Sequence, residues 1–277
     1  MVGAAIAAAA ALAGSAGPAQ APPAPEPPVE RAVVWAVGDG GDGSLAARRM
    51  AARIARDRPD RFLYLGDVYE TGTAADFRRN YEPSYGRLKG ITSPTPGNHE
   101  WGNRRTGYLP YWRRAKGRPQ PYWYSFRLAG WQILSLNSEA PHSAGSEQLR
   151  WLRGRIRAPG TCRMAYAHRS RFAARGLQGD SPDMAPIWNA LRGHARVVLG
   201  AHEHSLQRFR RREGMTEYVV GAGGAILYSL GRDPRLAFAR AKVTGALRIV
   251  LEPGRATLEF RNSSGALLDR SSVTCES

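Results

Sequence analysis

Asp39, Asp67, Asn98, His99, His168, His202 and His204 share one feature: each stands at, or just after, the end of a short apolar run. Asp39 and Asp67 each follow a glycine (VGD and LGD), and Asn98-His99 come after Ile91–Pro96 across Gly97. His168 follows RMAYA, and His202-Glu203-His204 follow RVVLGA. Of six histidines in the chain, only His142 and His194 lie elsewhere. A single buried histidine needs no function, since packing and a hydrogen bond satisfy it. Four at strand exits, joined by two aspartates and an asparagine, ask for more. Carboxylates gathered in one pocket repel each other unless a cation compensates them. Nitrogen and oxygen donors in this number exceed what one tetrahedral zinc takes. They suit two cations roughly 3.5–4 Å apart that share a carboxylate, an arrangement that hydrolyses phosphate esters.

Such a cluster needs a scaffold that brings strand ends together, and ligands of α/β sheets gather at the carboxyl ends of strands. Ala32–Asp39 reads as a buried strand. Ser44 is placed to cap a helix over Leu45–Asp57, with Leu45, Ala46, Met50 and Ile54 along one face. Arg61–Asp67 reads as the next strand, Ala74–Leu88 as helical up to Pro83, and Ile91–Pro96 as a short extended segment. Residues 101–121 are rich in Trp, Tyr, Arg, Gly and Pro and read as a long surface loop. Its Trp101, Arg104, Arg105 and Tyr108 are candidates for a rim that selects substrates. Tyr122–Leu128 and Trp131–Asn137, joined by Ala129-Gly130, read as a hairpin. A helix over Ser146–Arg157, a strand over Arg163–Ala167, a helix over Asp183–Leu191 and strands over Arg196–Gly200 and Glu217–Val220 follow. A second hairpin spans 245–261 around Pro253-Gly254. Strand–helix alternation followed by hairpins implies an α/β fold with mixed sheets, and no break in composition marks a second domain.

One string points to a different chemistry. Gly38–Gly43 (GDGGDG) matches G-x-G-x-x-G between a strand and a helix, the fingerprint of dinucleotide binding. Two of its six residues are carboxylates, poor company for a pyrophosphate, and an oxidoreductase reading leaves Asn98, His202 and His204 without a task. Asp39 is therefore read as a metal ligand, and the glycines as room for a tight turn beside it.

Lysine and arginine total 40 against 23 acidic residues, a formal net charge of +17, and lysine occurs only at 89, 116 and 242. The arginines are scattered, with no dense or aromatic-interleaved run. Nucleic acid is therefore not expected as the main partner, and the charge favours small anionic substrates. The first 17 residues are nearly all small and apolar, and Ala19-Gln20-Ala21 offers a cleavage pattern. Residues 1–21 accordingly read as a secretory leader and 22–31 as a Pro-rich spacer. Cleavage after Ala16, or an uncleaved Ala-rich tail, are the alternatives. The segment is too short and weakly apolar for a transmembrane helix, so no stable membrane span is expected in the mature chain. A secreted or cell-envelope location would favour pairing of Cys162 with Cys275; two free thiols are the alternative.

In order along the chain, GDGG (38–41), GDVY (66–69), GNHE (97–100), AYAH (165–168) and AHEH (201–204) resemble the blocks of the calcineurin-like metallophosphoesterases. The likeness is strongest to the purple acid phosphatase branch, whose blocks run D-x-G, G-D-x-x-Y, G-N-H-[DE], V-x-x-H and G-H-x-H. Single blocks are weak signals; five in order are specific. EYVVGAGGA (217–225) and the C-terminal hairpin extend the similarity to bacterial relatives over about 32–275.

The resemblance implies an α/β fold, a four-layer α/β/β/α sandwich of two mixed β-sheets flanked by helices, as a single domain over 32–277. It implies a phosphoric ester hydrolase with two metal ions, iron paired with zinc, manganese or a second iron, acting on a small phosphorylated substrate. Carried over by position, Asp39 and His204 bind the first metal, Asp67 bridges both, and Asn98, His168 and His202 bind the second. His99 would face the substrate phosphate and protonate the leaving group, and Glu100 would orient its neighbours. A phosphodiesterase or nucleotidase on the same site, and a metal-binding protein without catalysis, are the alternatives.

Two departures concern the first metal. The wider superfamily has D-x-H in its first block, and this chain has Gly41 at the histidine's place. In the purple branch a tyrosine three residues after the bridging aspartate supplies the missing ligand and makes the first metal iron(III). Here Tyr69 stands two residues after Asp67, and Glu70 stands at three. Either Tyr69 reaches the metal across a one-residue deletion, or it packs in the pocket wall and Asp42 or water completes the site. Elsewhere, Ala201 replaces the glycine of the last block, and Arg169-Ser170 follow His168 where relatives often carry His and Pro.

Overall fold

The computed structural model describes Met1, residues 30–174 and residues 176–275, so the expected leader and most of the spacer lie outside the described residues. In chain order these form β1 (Ala32–Val37), α1 (Leu45–Arg56), β2 (Arg61–Tyr64), α2 (Ala74–Asp76), β3 (Thr92–Pro94), α3 (Asn98–Trp101) and α4 (Tyr108–Lys116). There follow β4 (Tyr124–Leu128), β5 (Trp131–Ser135), α5 (Glu147–Arg155), β6 (Cys162–Arg169), α6 (Ala185–Leu191) and β7 (Val197–Ala201). The chain closes with β8 (Leu206–Phe209), β9 (Thr216–Val220), β10 (Leu236–Arg240), β11 (Gly245–Glu252), β12 (Arg255–Asn262) and β13 (Leu267–Thr274).

Two mixed sheets result, ordered β13-β12-β11-β1-β2-β3 and β10-β8-β9-β7-β6-β5-β4. In the first, β1, β2 and β3 run parallel and β11 joins β1 antiparallel. In the second, β5, β6, β7 and β9 are parallel neighbours. Side chains alternate across a strand, so each buried strand divides its residues between two layers. Val34 and Ala36 of β1 meet Met164 and Tyr166 of β6 and Leu199 of β7 in the core between the sheets. Trp35 and Val37 point the other way, onto Met50, Ala51 and Ile54 of α1 and Trp112 of α4. Ala165 and Val219 face outward from the second sheet onto Leu149, Leu152, Ile187 and Trp188 of α5 and α6. Helix, sheet, sheet and helix are therefore four successive layers of one α/β domain. Cys162 at the start of β6 is disulfide-bonded to Cys275, just after β13, which joins the two sheets covalently.

Ser44 caps α1 by accepting from the Ala47 N–H at 3.1 Å. The buried stripe of that helix is Ala47, Met50, Ala51 and Ile54, and Leu45, expected on it, is exposed. The stretch 74–88 is helical with an interruption at Pro83, as expected: α2 passes into a π-helical turn over Phe77–Tyr81 and, beyond Pro83, the chain forms a 3-10 turn over Tyr85–Leu88. The largest correction falls in 101–121, read as a loop. It contains α4, whose Tyr108 and Trp112, one turn apart, are buried in the core. Tyr108 is thus a core residue and takes no part in a rim.

Candidate metal centre

Asp39 lies just past β1, Asp67 just past β2, Asn98 opens α3, His168 is the next-to-last residue of β6, and His202 and His204 follow β7. Three of these residues adopt left-handed backbone, Asp39 at φ 55°, Asp67 at φ 68° and His202 at φ 68°. Non-glycine residues take up this conformation at a cost of roughly 1–3 kcal/mol each, and only where the surroundings force it. The surroundings here are hydrogen bonds that fasten the loops to each other. The Tyr64 hydroxyl donates to the Asp67 carbonyl at 2.6 Å, and the N–H groups of Asp67 and Gly97 donate to Oε2 of buried Glu100 at 3.0 and 3.2 Å. The His202 N–H donates to Oδ2 of Asp39 at 2.9 Å, which ties the end of one sheet to the end of the other.

The side chains converge in two groups. In one, Tyr69 Oη lies 3.0 Å from His204 Nε2, 3.2 Å from Asp39 Oδ1 and 3.4 Å from Asp67 Oδ2, and His204 Nε2 lies 3.2 Å from Asp39 Oδ1. In the other, His168 Nε2 lies 3.1 Å from Asn98 Oδ1, 3.1 Å from His202 Nδ1 and 3.4 Å from Asp67 Oδ2. Asp67, His168 and His202 offer donor atoms that all lie within 4.8 Å of one another. Metal–ligand bonds of about 2.0–2.2 Å place neighbouring ligands about 3.0–3.5 Å apart, so both groups have the edge lengths of a coordination shell. The tautomers fit as well. His168 Nδ1 faces the Leu65 carbonyl at 2.8 Å and His204 Nδ1 the Ile226 carbonyl at 2.6 Å, so each ring donates outward and turns its Nε2 inward.

The titratable groups of the cluster are strongly perturbed by burial and by one another. Burial disfavours the charged form of both Asp67 and His168, but their mutual attraction outweighs it. Asp67 is held well below the usual carboxylate range, and His168 is raised to about 10. A proton on His168 Nε2 thus offsets the buried carboxylate, and a cation bound at that nitrogen would take the proton's place. Burial and the neighbouring His168 push His202 down to about 2, which keeps its ring neutral. Burial, followed by Asp39 and Asp67, pushes the Tyr69 phenol far up. Glu100 is raised to about 8, by burial and then by Asp67.

Asp39, Asp67, Tyr69, Asn98, His168, His202 and His204 lie together in this cluster. His99 stands at its open edge, its Nε2 3.7 Å from Asp67 Oδ2 and its Nδ1 2.5 Å from the Glu70 carbonyl. Asp42 accepts from the Ser44 N–H at 3.1 Å and serves as a local cap. Two contacts went unread in the sequence. Tyr228 stacks on His204 with ring centroids 4.3 Å apart and planes 8° apart, and Arg169 Nη1 lies 2.9 Å from His202 Nε2. The Tyr228 loop lacks any motif, and Arg169 stood out only as a departure beside His168.

Comparison with known proteins bears on the family and the fold. The chain is 28% identical over 213 residues to Probable purple acid phosphatase 20 of Arabidopsis thaliana, covering 63% of this chain and 48% of that protein. It therefore spans about half the length of that relative. The fold is similar to that of the purple acid phosphatase PPD1 from yellow lupin (Lupinus luteus) seeds, with TM-score 0.70, 16% identity, and 89% of this chain and 54% of that one covered. It is also similar to GAP50, the anchor in the inner membrane complex of Plasmodium, with TM-score 0.73, 13% identity, and 89% and 90% of the two chains covered. The family profile described as Calcineurin-like phosphoesterase matches residues 32–206, from the first residue of β1 to just past His204. That match covers more than half of the chain and every residue of both donor groups, and it shows that the protein belongs to the calcineurin-like phosphoesterase family, a family of phosphoric ester hydrolases.

Proposed function

We propose that the protein is a metal-dependent phosphoric ester hydrolase with a dinuclear centre and Asp67 as the shared ligand. The observation that carries this reading is that Oδ2 of Asp67 belongs to both donor groups, 3.4 Å from Tyr69 Oη and 3.4 Å from His168 Nε2. Asp39, Tyr69 and His204 would hold the first cation, and Asn98, His168 and His202 the second. Iron is the proposed first metal because the purple acid phosphatase branch, which this chain resembles, pairs a tyrosine ligand with iron(III), and zinc, manganese or a second iron is proposed beside it. When bound, the two cations supply hydroxide near neutral pH and neutralise charge on a phosphoryl group.

The chain's own residues supply orientation and proton transfer. Asp67 is fixed by its backbone partners, and its Oδ1 accepts the His99 N–H at 3.2 Å. His99 donates from Nδ1 to the Glu70 carbonyl and so keeps Nε2 free, at the edge of the site, to hold a proton for a leaving alcohol. The ring is partly exposed and packs edge-to-face on Tyr69 at 4.4 Å between centroids, which limits its rotation. The proposed substrate is a small phosphorylated molecule, in keeping with the net charge of +17. The Cys162–Cys275 disulfide supports an extracytoplasmic, secreted or cell-envelope location.

The test is metal analysis of purified protein together with hydrolysis of p-nitrophenyl phosphate and its bis ester. Two metal ions per chain, and activity lost on chelation and restored by metal, are expected. A protein that holds metal but hydrolyses neither ester would be a binding protein built on this fold, and the hydrolase reading would fall.

A further inference from the structure

Three of the four site histidines turn a ring nitrogen to a backbone carbonyl, and His202 does not. Its Nδ1 joins the second donor group, and its Nε2 faces a cation, Nη1 of Arg169, at 2.9 Å. Arg169 is fastened from the other side by Glu139, through Nε at 2.8 Å and Nη2 at 3.4 Å. A neutral histidine that coordinates through Nδ1 carries its proton on Nε2, and an N–H and a guanidinium are both donors. They cannot share one hydrogen bond. With the second site filled, the Nη1 edge of Arg169 must therefore find an acceptor other than His202.

Open space for such an acceptor lies beside it. Arg169 lines a groove of about 1060 Å³ whose other walls include Trp101, Pro141, His142 and Pro186. The carboxylates along this groove are already engaged. Glu139 holds Arg169 and the Ser138 hydroxyl, and Asp183 lies 3.4 Å from His142. Resting on the hydrolase reading, we infer that Arg169, aimed by Glu139, binds a phosphoryl oxygen of the substrate and so selects phosphomonoesters over phosphodiesters. A monoester presents one more unesterified anionic oxygen than a diester, and the guanidinium, with Nε and Nη2 taken by Glu139, offers its Nη1 to that oxygen.

The experiment compares Arg169→Met and Arg169→Lys with the unaltered metal-loaded protein. Metal content, kcat and KM for p-nitrophenyl phosphate and its bis ester, and calorimetric affinity for inorganic phosphate are read together. In Arg169→Met, metal content stays unchanged while the monoester KM rises and phosphate affinity falls about 10- to 100-fold, with the diester changing by less than about threefold. Arg169→Lys recovers part of the loss, because it keeps the charge without the fork. The inference is overturned if phosphate affinity and the monoester-to-diester preference stay within about threefold. It is equally overturned if both esters lose activity together with the second metal, which would make Arg169 a prop for His202. Unaltered protein that hydrolyses neither ester overturns the hydrolase reading instead, and the phosphate titration still decides the role of Arg169.

Discussion

The phenol oxygen of Tyr69 lies 3.0 Å from Nε2 of His204, although Tyr69 stands one residue closer to Asp67 than the tyrosine of the purple acid phosphatase pattern. The backbone accounts for its reach. The Tyr69 N–H donates to the Gly41 carbonyl at 2.9 Å, so the tyrosine is hung from the very position where the wider superfamily has a histidine. No side chain fits at that position. A Cβ on Gly41 would come within 2.8 Å of the Asp67 carbonyl oxygen and of the Val68 Cα. Tyr69→Phe removes the oxygen while leaving the ring. It is expected to abolish any tyrosinate-to-iron absorption band and to lower occupancy of the first site, with Asn98, His168 and His202 still holding the second. An unchanged visible spectrum and metal content would exclude Tyr69 as a ligand.

Asp67→Asn keeps the shape of the side chain and removes its charge. Both donor groups lose their shared member, so both ions are expected to be lost on dialysis. The loss of turnover should exceed the roughly 10- to 100-fold typical of a partner one step removed from a metal. Metal analysis alongside p-nitrophenyl phosphate turnover checks this. Retention of two ions by the variant would contradict a shared carboxylate.

Cys275→Ser opens a disulfide that spans 113 residues of chain. Cross-links of this kind contribute about 2–4 kcal/mol, chiefly by restricting the unfolded chain. In a domain of this size that amounts to a fall in Tm of roughly 5–15 °C, and reduction of the unaltered protein should match it. Coincident melts of the reduced and oxidised protein would show that the bridge adds nothing.

Lys116 gives a pH signature. Burial, helped by Arg61 and Arg118, lowers its ammonium to about 8, and its Nζ donates to the Gly90 carbonyl at 3.0 Å. Between about 8 and the ordinary lysine value of about 10.4, the unfolded chain binds the proton more tightly than the folded one. Lys116 therefore favours the fold fully above that window and loses this contribution as pH falls through about 8. Lys116→Met should raise Tm at pH 7 relative to the unaltered protein, and the gain should shrink by pH 10. A gain independent of pH would contradict the depressed ammonium.

Much of this was legible before the fold was known, and the reason is local. Asp39, Asp67, His168 and His202 are read from strand ends because buried strands form apolar runs and the chemistry sits where the runs stop. The four layers were legible only through the family blocks, since alternation along β1 or β6 says which residues are buried and not against what. α4 was hidden by its own composition: Pro110 stands in its first turn, where a missing N–H costs nothing, and Gly107 and Gly117 bracket it. The spacing of Tyr108 and Trp112 was the signal overlooked. β13 was unreadable for the opposite reason. It lies at a sheet edge with alternately exposed, polar residues, so its sequence LLDRSSVT carries no buried run.

β6 carries a fastening at each end. Cys162 ties its start to the tail beyond β13, and His168 at its finish meets Asp67 and Asn98 from the opposite sheet. The two leaves of the sandwich are thus clasped like a book with a lock on both edges, one covalent and one completed by the proposed cations. A reductant would open one edge, and a chelator would open the other if the proposed cations are bound. On the proposed function, loss of metal with the disulfide intact would silence the protein while its covalent edge still held the two leaves together.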